Sequence, residues 1–269
     1  MPGAAQAGPA GQAAPAVQAA PAVQSAAAAS LDVMRLLQDG RLDLVGRLWA
    51  STNQAMLGTV VEAGWGDGTP VTIEVVYKPT AGERPLHDFP PGTLTRREVA
   101  AFLVSEATGW GIVPPTVLRD GPFGEGMVQA WVHPDPGADV IAMIVGDDER
   151  LRAVAVFDAM VNNTDRKGGH LLPLPSGHVH GVDHGVCFSP QPKLRTVLWG
   201  WRGMPLSPIE LAVIQRVRIE LDGALGGSLL SLLTQYEVAA TTERVDALLR
   251  DGRFPEPPTD WPAVPWPPF

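Results

Sequence analysis

Residues 70–78 alternate, with Val71, Ile73, Val75 and Tyr77 on one side, a two-residue period that predicts a strand. Two further strand-like runs precede it, at 41–49 and 54–62. The second and third are separated by Gly-Trp-Gly-Asp-Gly-Thr-Pro, in which Asp67-Gly68 is a strong hairpin signal. The three runs therefore read as an antiparallel meander ending at Lys78. Ahead of it, Leu-Asp-Val-Met-Arg-Leu-Leu-Gln-Asp-Gly reads as a short helix stopped by Gly40, with order beginning near Leu31. After a Pro/Gly-rich loop over 79–92 the period lengthens. Thr95 through Glu98 has a capping-box pattern, Val99, Phe102 and Leu103 recur at helical spacing, and Gly109 ends the helix. Short strands are expected near 115–119 and 126–132, and an amphipathic helix over 147–161. A polar loop over 162–170, a strand pair through 171–182 and a loop over 183–206 follow. Ser207-Pro208 opens another helix, and one more is expected near 228–250.

The flanks differ in kind. Residues 1–30 carry no charged side chain and repeat Ala-Pro-Ala-Val-Gln at 14–18 and 20–24. Such a segment buries too little apolar surface to offset its ordering entropy, so it reads as a disordered tail. The Pro/Trp-rich stretch 254–269 reads as an extended strap. The division that results is a tail at 1–30, a first lobe at 31–133, a second at 134–253 and the strap.

Composition narrows the function. The 269 residues carry a net charge of -9, which argues against a broad grip on nucleic acid. Cys187 is the one cysteine, so no intramolecular disulfide framework exists. No run approaches the roughly 18 apolar residues of a membrane span. The first cation is Arg35, so the N-terminus lacks the basic start of a secretory signal, and a cytoplasmic location is expected. Only Lys78, Lys167 and Lys193 among the 20 basic residues are lysines. Where arginine is the default cation, each lysine is a candidate for a specific task.

Chemistry-bearing residues occur in a telling order: a lysine ending a strand, an early glutamate on the next helix, a polar loop with Asp165, then Asp183 after a strand pair. Phosphoryl transfer needs a cation on the phosphates, a carboxylate to fix that cation, a second to orient the attacking hydroxyl and a third for a metal ion. Each residue also has a plainer role. Lys78 can be a surface lysine, Glu98 a capping residue, and Asp165 and Asp183 turn residues. Lys193 and Arg195 fit a solvated loop face, and Trp199, Trp201, Trp261 and Trp266 fit core packing or strap anchoring.

These motifs resemble the phosphatidylinositol 3-/4-kinase-like superfamily, and look closest to an actinobacterial group of it with no assigned substrate. Tyr77-Lys78-Pro79 resembles its nucleotide-binding lysine strand. Arg97 through Leu103, followed by Gly111-Ile112-Val113-Pro114, resembles the next helix and strand of the type II phosphatidylinositol 4-kinases. Asn163-Thr164-Asp165-Arg166 resembles the catalytic loop, and Asp183-His184-Gly185 the metal-binding segment. The resemblance spans about 40–235. It implies an α+β, two-lobed protein-kinase-like fold, with an antiparallel-sheet N-lobe and a mainly helical C-lobe. It also implies an enzyme that uses ATP with Mg²⁺ or Mn²⁺ to phosphorylate a hydroxyl of a lipid, protein or small molecule. Lys78, Asp165 and Arg166 would be catalytic. Ser51, Thr52, Asn53, Lys78, Glu98, Gln129, Trp131 and Val132 would bind nucleotide. Asp183 and His170 would hold metal, His170 standing where the family has asparagine. That exchange keeps a second reading open, a nucleotide-binding pseudokinase acting as a signalling module. A third is a metal-dependent hydrolase using His178, His180, Asp183 and His184, which resemble the HxHxDH signature with one extra residue. No nucleic-acid partner or transmembrane segment is expected, and peripheral membrane contact is left open.

Overall fold

A computed structural model describes residues 33–48, 54–62 and 70–269. The expectations for the tail at 1–30, for order beginning at Leu31, for Ser51, Thr52 and Asn53, and for the Asp67-Gly68 turn lie outside these residues. A helix α1 over 33–39 leads into the meander of β1 (Arg41–Arg47), β2 (Met56–Glu62) and β3 (Val71–Pro79). After helix α2 (Leu94–Thr108), β4 (Thr116–Gly121) and β5 (Gly124–Ala130) complete a five-stranded antiparallel sheet of order β1-β2-β3-β5-β4. The second part holds α3 (Val140–Val145), α4 (Arg152–Val161), the pair β6 (Leu171–Pro173) and β7 (Val179–Gly181), then α5 (Pro208–Leu221), α6 (Ala224–Leu230) and α7 (Gln235–Asp251). The architecture is thus the expected α+β, two-lobed one, an antiparallel sheet beside a mainly helical part.

Alternation on β3 does what its period requires. Val75 and Tyr77 are fully buried and meet Val60, Val128 and α1 residues Leu36 and Leu37. Each such side chain contributes about 1.5–3 kcal/mol through burial. Val71, at the strand's start, is exposed. Gly126 faces the end of β3, where a Cβ would lie 2.4 Å from the Lys78 carbonyl oxygen and 2.7 Å from the Pro79 Cα. Only glycine lets β5 approach there, so Gly126 helps to set the backbone carrying Lys78.

The larger core belongs to the helical part. It includes Ala100, Ala101, Phe102 and Val104 of α2, along with Ile112 and Val113. Packing therefore crosses the division drawn at residue 133.

Several local expectations change. The helix expected to open at Thr95 begins at Leu94 behind Thr93, and the capping box does not form. Glu83 instead accepts from the Thr95 backbone N–H at 2.8 Å, leaving Glu98 for longer-range partners. The helix expected over 147–161 is α4 preceded by a 3-10 turn at Glu149–Leu151. The helix expected near 228–250 is two, parted before Thr234, which forms a capping box with Glu237. Ser207 caps α5 with Glu210 and Pro208 as expected.

The strap is extended and pinned. The Thr196 N–H and the Trp199 indole N–H both donate to the Ala263 carbonyl (3.0 and 2.8 Å), and the Gly168 N–H donates to the Pro268 carbonyl (2.8 Å). Trp201 is buried against Phe254, whereas Trp266 stands 88% exposed.

Candidate active site

A cavity of about 770 Å³ is lined by the end of β3, the 79–92 loop, the start of α2, the loop after α4 and the segment after β7, with Arg195 and the strap residues Trp261 and Phe269. Lys78, Glu98, Asp165, His170 and Asp183 line it together, although they span more than a hundred residues of chain.

Lys78 joins two of these carboxylates. Its Nζ donates to Glu98 Oε1 at 2.6 Å and to Asp183 Oδ1 at 2.9 Å. Glu98 is 2% exposed, and its other oxygen accepts from the His184 backbone N–H at 2.8 Å. Burial works against the Lys78 charge, but Asp183 and Glu98 outweigh it and hold the ammonium above the usual lysine range. Lys78 in turn holds Asp183 well below the usual carboxylate range, against the effect of burial. Burial pushes Glu98 up, with Lys78 opposing. One ammonium between two carboxylates leaves a net negative charge in this part of the cavity wall.

Asp183 sits in the left-handed region, with φ 62°, which is costly for a residue with a side chain. Its side chain is half exposed, and Oδ2 lies 3.5 Å from His170 Nε2. The Lys167 N–H donates to His170 Nδ1 at 3.4 Å. That bond assigns the proton of the neutral ring to Nε2, facing Asp183. Burial pushes the His170 ring below its ordinary pKa, favouring the neutral form.

Asp165 also lines the cavity, flanked by Lys167 Nζ at 3.2 Å and Arg195 at 3.4 Å. Its backbone N–H donates to Asn163 Oδ1, and the Asn163 amide donates to Asp158 Oδ1, each at 3.0 Å. Arg195 also donates to the Thr164 carbonyl at 2.7 Å. The loop is thus held on both sides.

Arg166 departs from its expected role. It is fully buried, paired bidentately with Asp158, and donates to the Val182 carbonyl at 3.0 Å. It faces away from the cavity and braces the loop. Asp158 went unnoticed in the sequence because it sits inside the apolar run of α4, where its charge on a buried face was the available signal.

Gln129, Trp131 and Val132, expected to bind nucleotide, do not line the cavity. The Gln129 side chain donates to Thr116 at 2.8 Å, and the Trp131 N–H donates to the Glu74 carbonyl at 2.8 Å. Lys193, expected on a solvated face, is buried. It pairs with Asp88 at 3.0 Å and lies 5.0 Å from the Trp261 ring, tying the 79–92 loop to the strap.

The hydrolase constellation does not assemble. His178 and His180 share a face with ring centroids 4.6 Å apart, but they bond the carbonyls of Gly111 and Ile112. His184 is buried against Arg166 and Phe157. Among the described residues, no group of three or more His, Cys, Asp and Glu is placed to hold a metal ion.

No family model matches the chain. It is 38% identical to Protein Rv2133c of Mycobacterium tuberculosis over 273 aligned residues, covering 88% of this chain and 96% of that protein. The crystal structure of the Helicobacter pylori proinflammatory kinase CtkA aligns with a TM-score of 0.43 and 10% identity, over 81% of this chain and 94% of that one.

Proposed function

The chain belongs to the family of protein Rv2133c, and we propose that it is a phosphotransferase of the phosphatidylinositol 3-/4-kinase-like kind, passing the γ-phosphate of ATP to a hydroxyl. The observation that carries this reading is the Lys78 ammonium held between Glu98 and Asp183 in one cavity with Asp165. Lys78 would bind the phosphates of ATP, with Glu98 fixing its position. Asp165, steadied by Lys167 and Arg195, would orient the acceptor hydroxyl and take its proton.

The surplus negative charge beside Lys78 suits a divalent cation, with Asp183 as oxygen ligand and His170 as nitrogen ligand. Two side chains suffice when phosphates and water supply the remaining ligands. The mixed oxygen and nitrogen set favours Mn²⁺ over Mg²⁺. When bound, the ion would neutralise charge on the phosphate oxygens. Ligation through His170 Nε2 requires its ring proton on Nδ1, and the Lys167 N–H opposes that tautomer. This observation favours a second reading, a nucleotide-binding module that transfers nothing.

Thermal melting with ATP plus Mn²⁺ or Mg²⁺, followed by turnover of γ-radiolabelled ATP, separates the two. A phosphotransferase shows both a shift and turnover, and both fall steeply in Lys78→Met and Asp183→Ala. A shift without turnover supports the binding module. Unchanged binding and turnover in both variants would sink the proposal.

A further inference from the structure

We infer that Arg97 is a positioning residue for the site and that Glu237, on α7, is the partner that fixes it. The functional half of this inference rests on the phosphotransferase reading above.

Helix α2 is buried around most of its surface, with Leu94, Thr95 and the whole run from Arg97 to Phe102 shielded from water. Arg97 and Glu98 are the charged residues among these buried positions, 1% and 2% exposed. Each takes hold of the same short segment. Glu98 accepts from the His184 backbone N–H at 2.8 Å, and Arg97 donates to the Cys187 carbonyl at 2.8 Å. The dipeptide therefore grips both ends of residues 184–187, immediately after the left-handed Asp183. A backbone in that region relaxes unless its surroundings hold it. The bracket supplies that restraint and keeps Asp183 against Lys78.

Arg97 is itself held from three directions. Its guanidinium pairs with Glu237, lies 4.8 Å from the centre of the Phe89 ring, and is 3.4 Å from the Thr93 hydroxyl. Glu237 has its other oxygen on the backbone N–H and hydroxyl of Thr234, at 2.8 and 2.9 Å. The capping box that begins α7 thus also orients the anion that Arg97 needs. Because α2 sends Ala100, Ala101 and Val104 into the helical core, it cannot swing away from the cavity without breaking that packing. A site that looks like the property of β3 and α2 has its geometry set by the first turn of α7.

The test is the double variant Arg97→Met with Glu237→Gln. Methionine fills the apolar space, and glutamine still caps α7. Exchanging a buried ion pair for uncharged groups of similar size is often close to neutral for stability. Two measurements are read together: amide hydrogen exchange across 184–187 and 100–104, and turnover of ATP with Mn²⁺. The expected result is exchange at 184–187 about tenfold faster or more, the scale of one lost charged hydrogen bond, with 100–104 still protected and turnover down by a similar factor. Arg97→Lys should restore part of both, since it keeps the charge but loses the fork. Unchanged exchange at 184–187 overturns the inference, and so does equal loosening of both segments, which would mark a purely structural pair. Normal turnover with a loosened segment overturns it as well. A wild-type chain that turns over no ATP, with 184–187 loosened in the variant, sinks the phosphotransferase reading and leaves the bracket standing.

Discussion

Two charged clusters lie either side of the segment after β7. In one, Arg166 meets Asp158 with both side chains fully buried, and neighbouring carbonyls and His184 take further donors. In the other, Lys78 is 16% exposed, and its partner Asp183 is 50% exposed. The Arg166–Asp158 pair has its donors and acceptors matched and carries no surplus charge. The second faces a cavity with one carboxylate more than it has cations. A buried ion pair with every position filled serves as a brace, since breaking it strands a charge. An open cluster with charge left over can still bind something. The same residue types thus separate into scaffold and chemistry by what remains unmatched.

The closed cluster gives the largest expected effect. Asp158→Ala should cost about 3–5 kcal/mol by stranding Arg166, lowering the melting temperature by roughly 10 °C or more. Lys78→Met should do the opposite. ATP turnover should fall by about 10²–10³-fold, or roughly 3–4 kcal/mol, while melting shifts far less, because Asp183 is half exposed and Glu98 keeps the His184 amide. If both variants lose stability equally, the contrast between the clusters fails.

Acid sharpens the contrast. Burial, then the Arg166 charge, pushes His184 well below its ordinary pKa. Below about pH 6.5 the unfolded chain takes up a proton that the folded chain refuses, so stability falls as pH falls. His184→Gln should flatten the acid limb of a melting-temperature profile, whereas a limb of unchanged slope would assign it elsewhere. The smallest effect lies outside both clusters. Ser207→Ala removes the cap of α5 and should cost about 1 kcal/mol, read as a few degrees in melting, with ATP turnover intact.

Much of this was legible in the sequence where a local pattern and a tertiary need coincide. The β3 alternation and the Ser207 cap are such cases. So is the order of Lys78, Glu98, Asp165 and Asp183, residues that the fold brings to one cavity. Reading failed where a distant partner outbid a near one. Thr95 and Glu98 have the spacing of a capping box, yet Glu83 and Lys78 take them over. Arg166 sits beside Asp165 in the chain, yet its guanidinium turns inward to Asp158 on α4. The α7 cap was different: Thr234 and Glu237 have the capping spacing, but the apolar run around them hid the break. The six-residue α3 was too short for any period to show.

The bond from the Gly168 N–H to the Pro268 carbonyl also bears on how the molecule is made. A Cβ on residue 168 would come within 2.2 Å of the Phe269 ring, so loop and strap are fitted to each other. Their contact joins positions a hundred residues apart. At about 5–20 residues per second, a ribosome needs roughly 5–20 s to travel from one to the other. During that interval the nascent chain carries the loop of Asp165 without the strap, and the cavity gains its Trp261 and Phe269 walls only when the strap arrives.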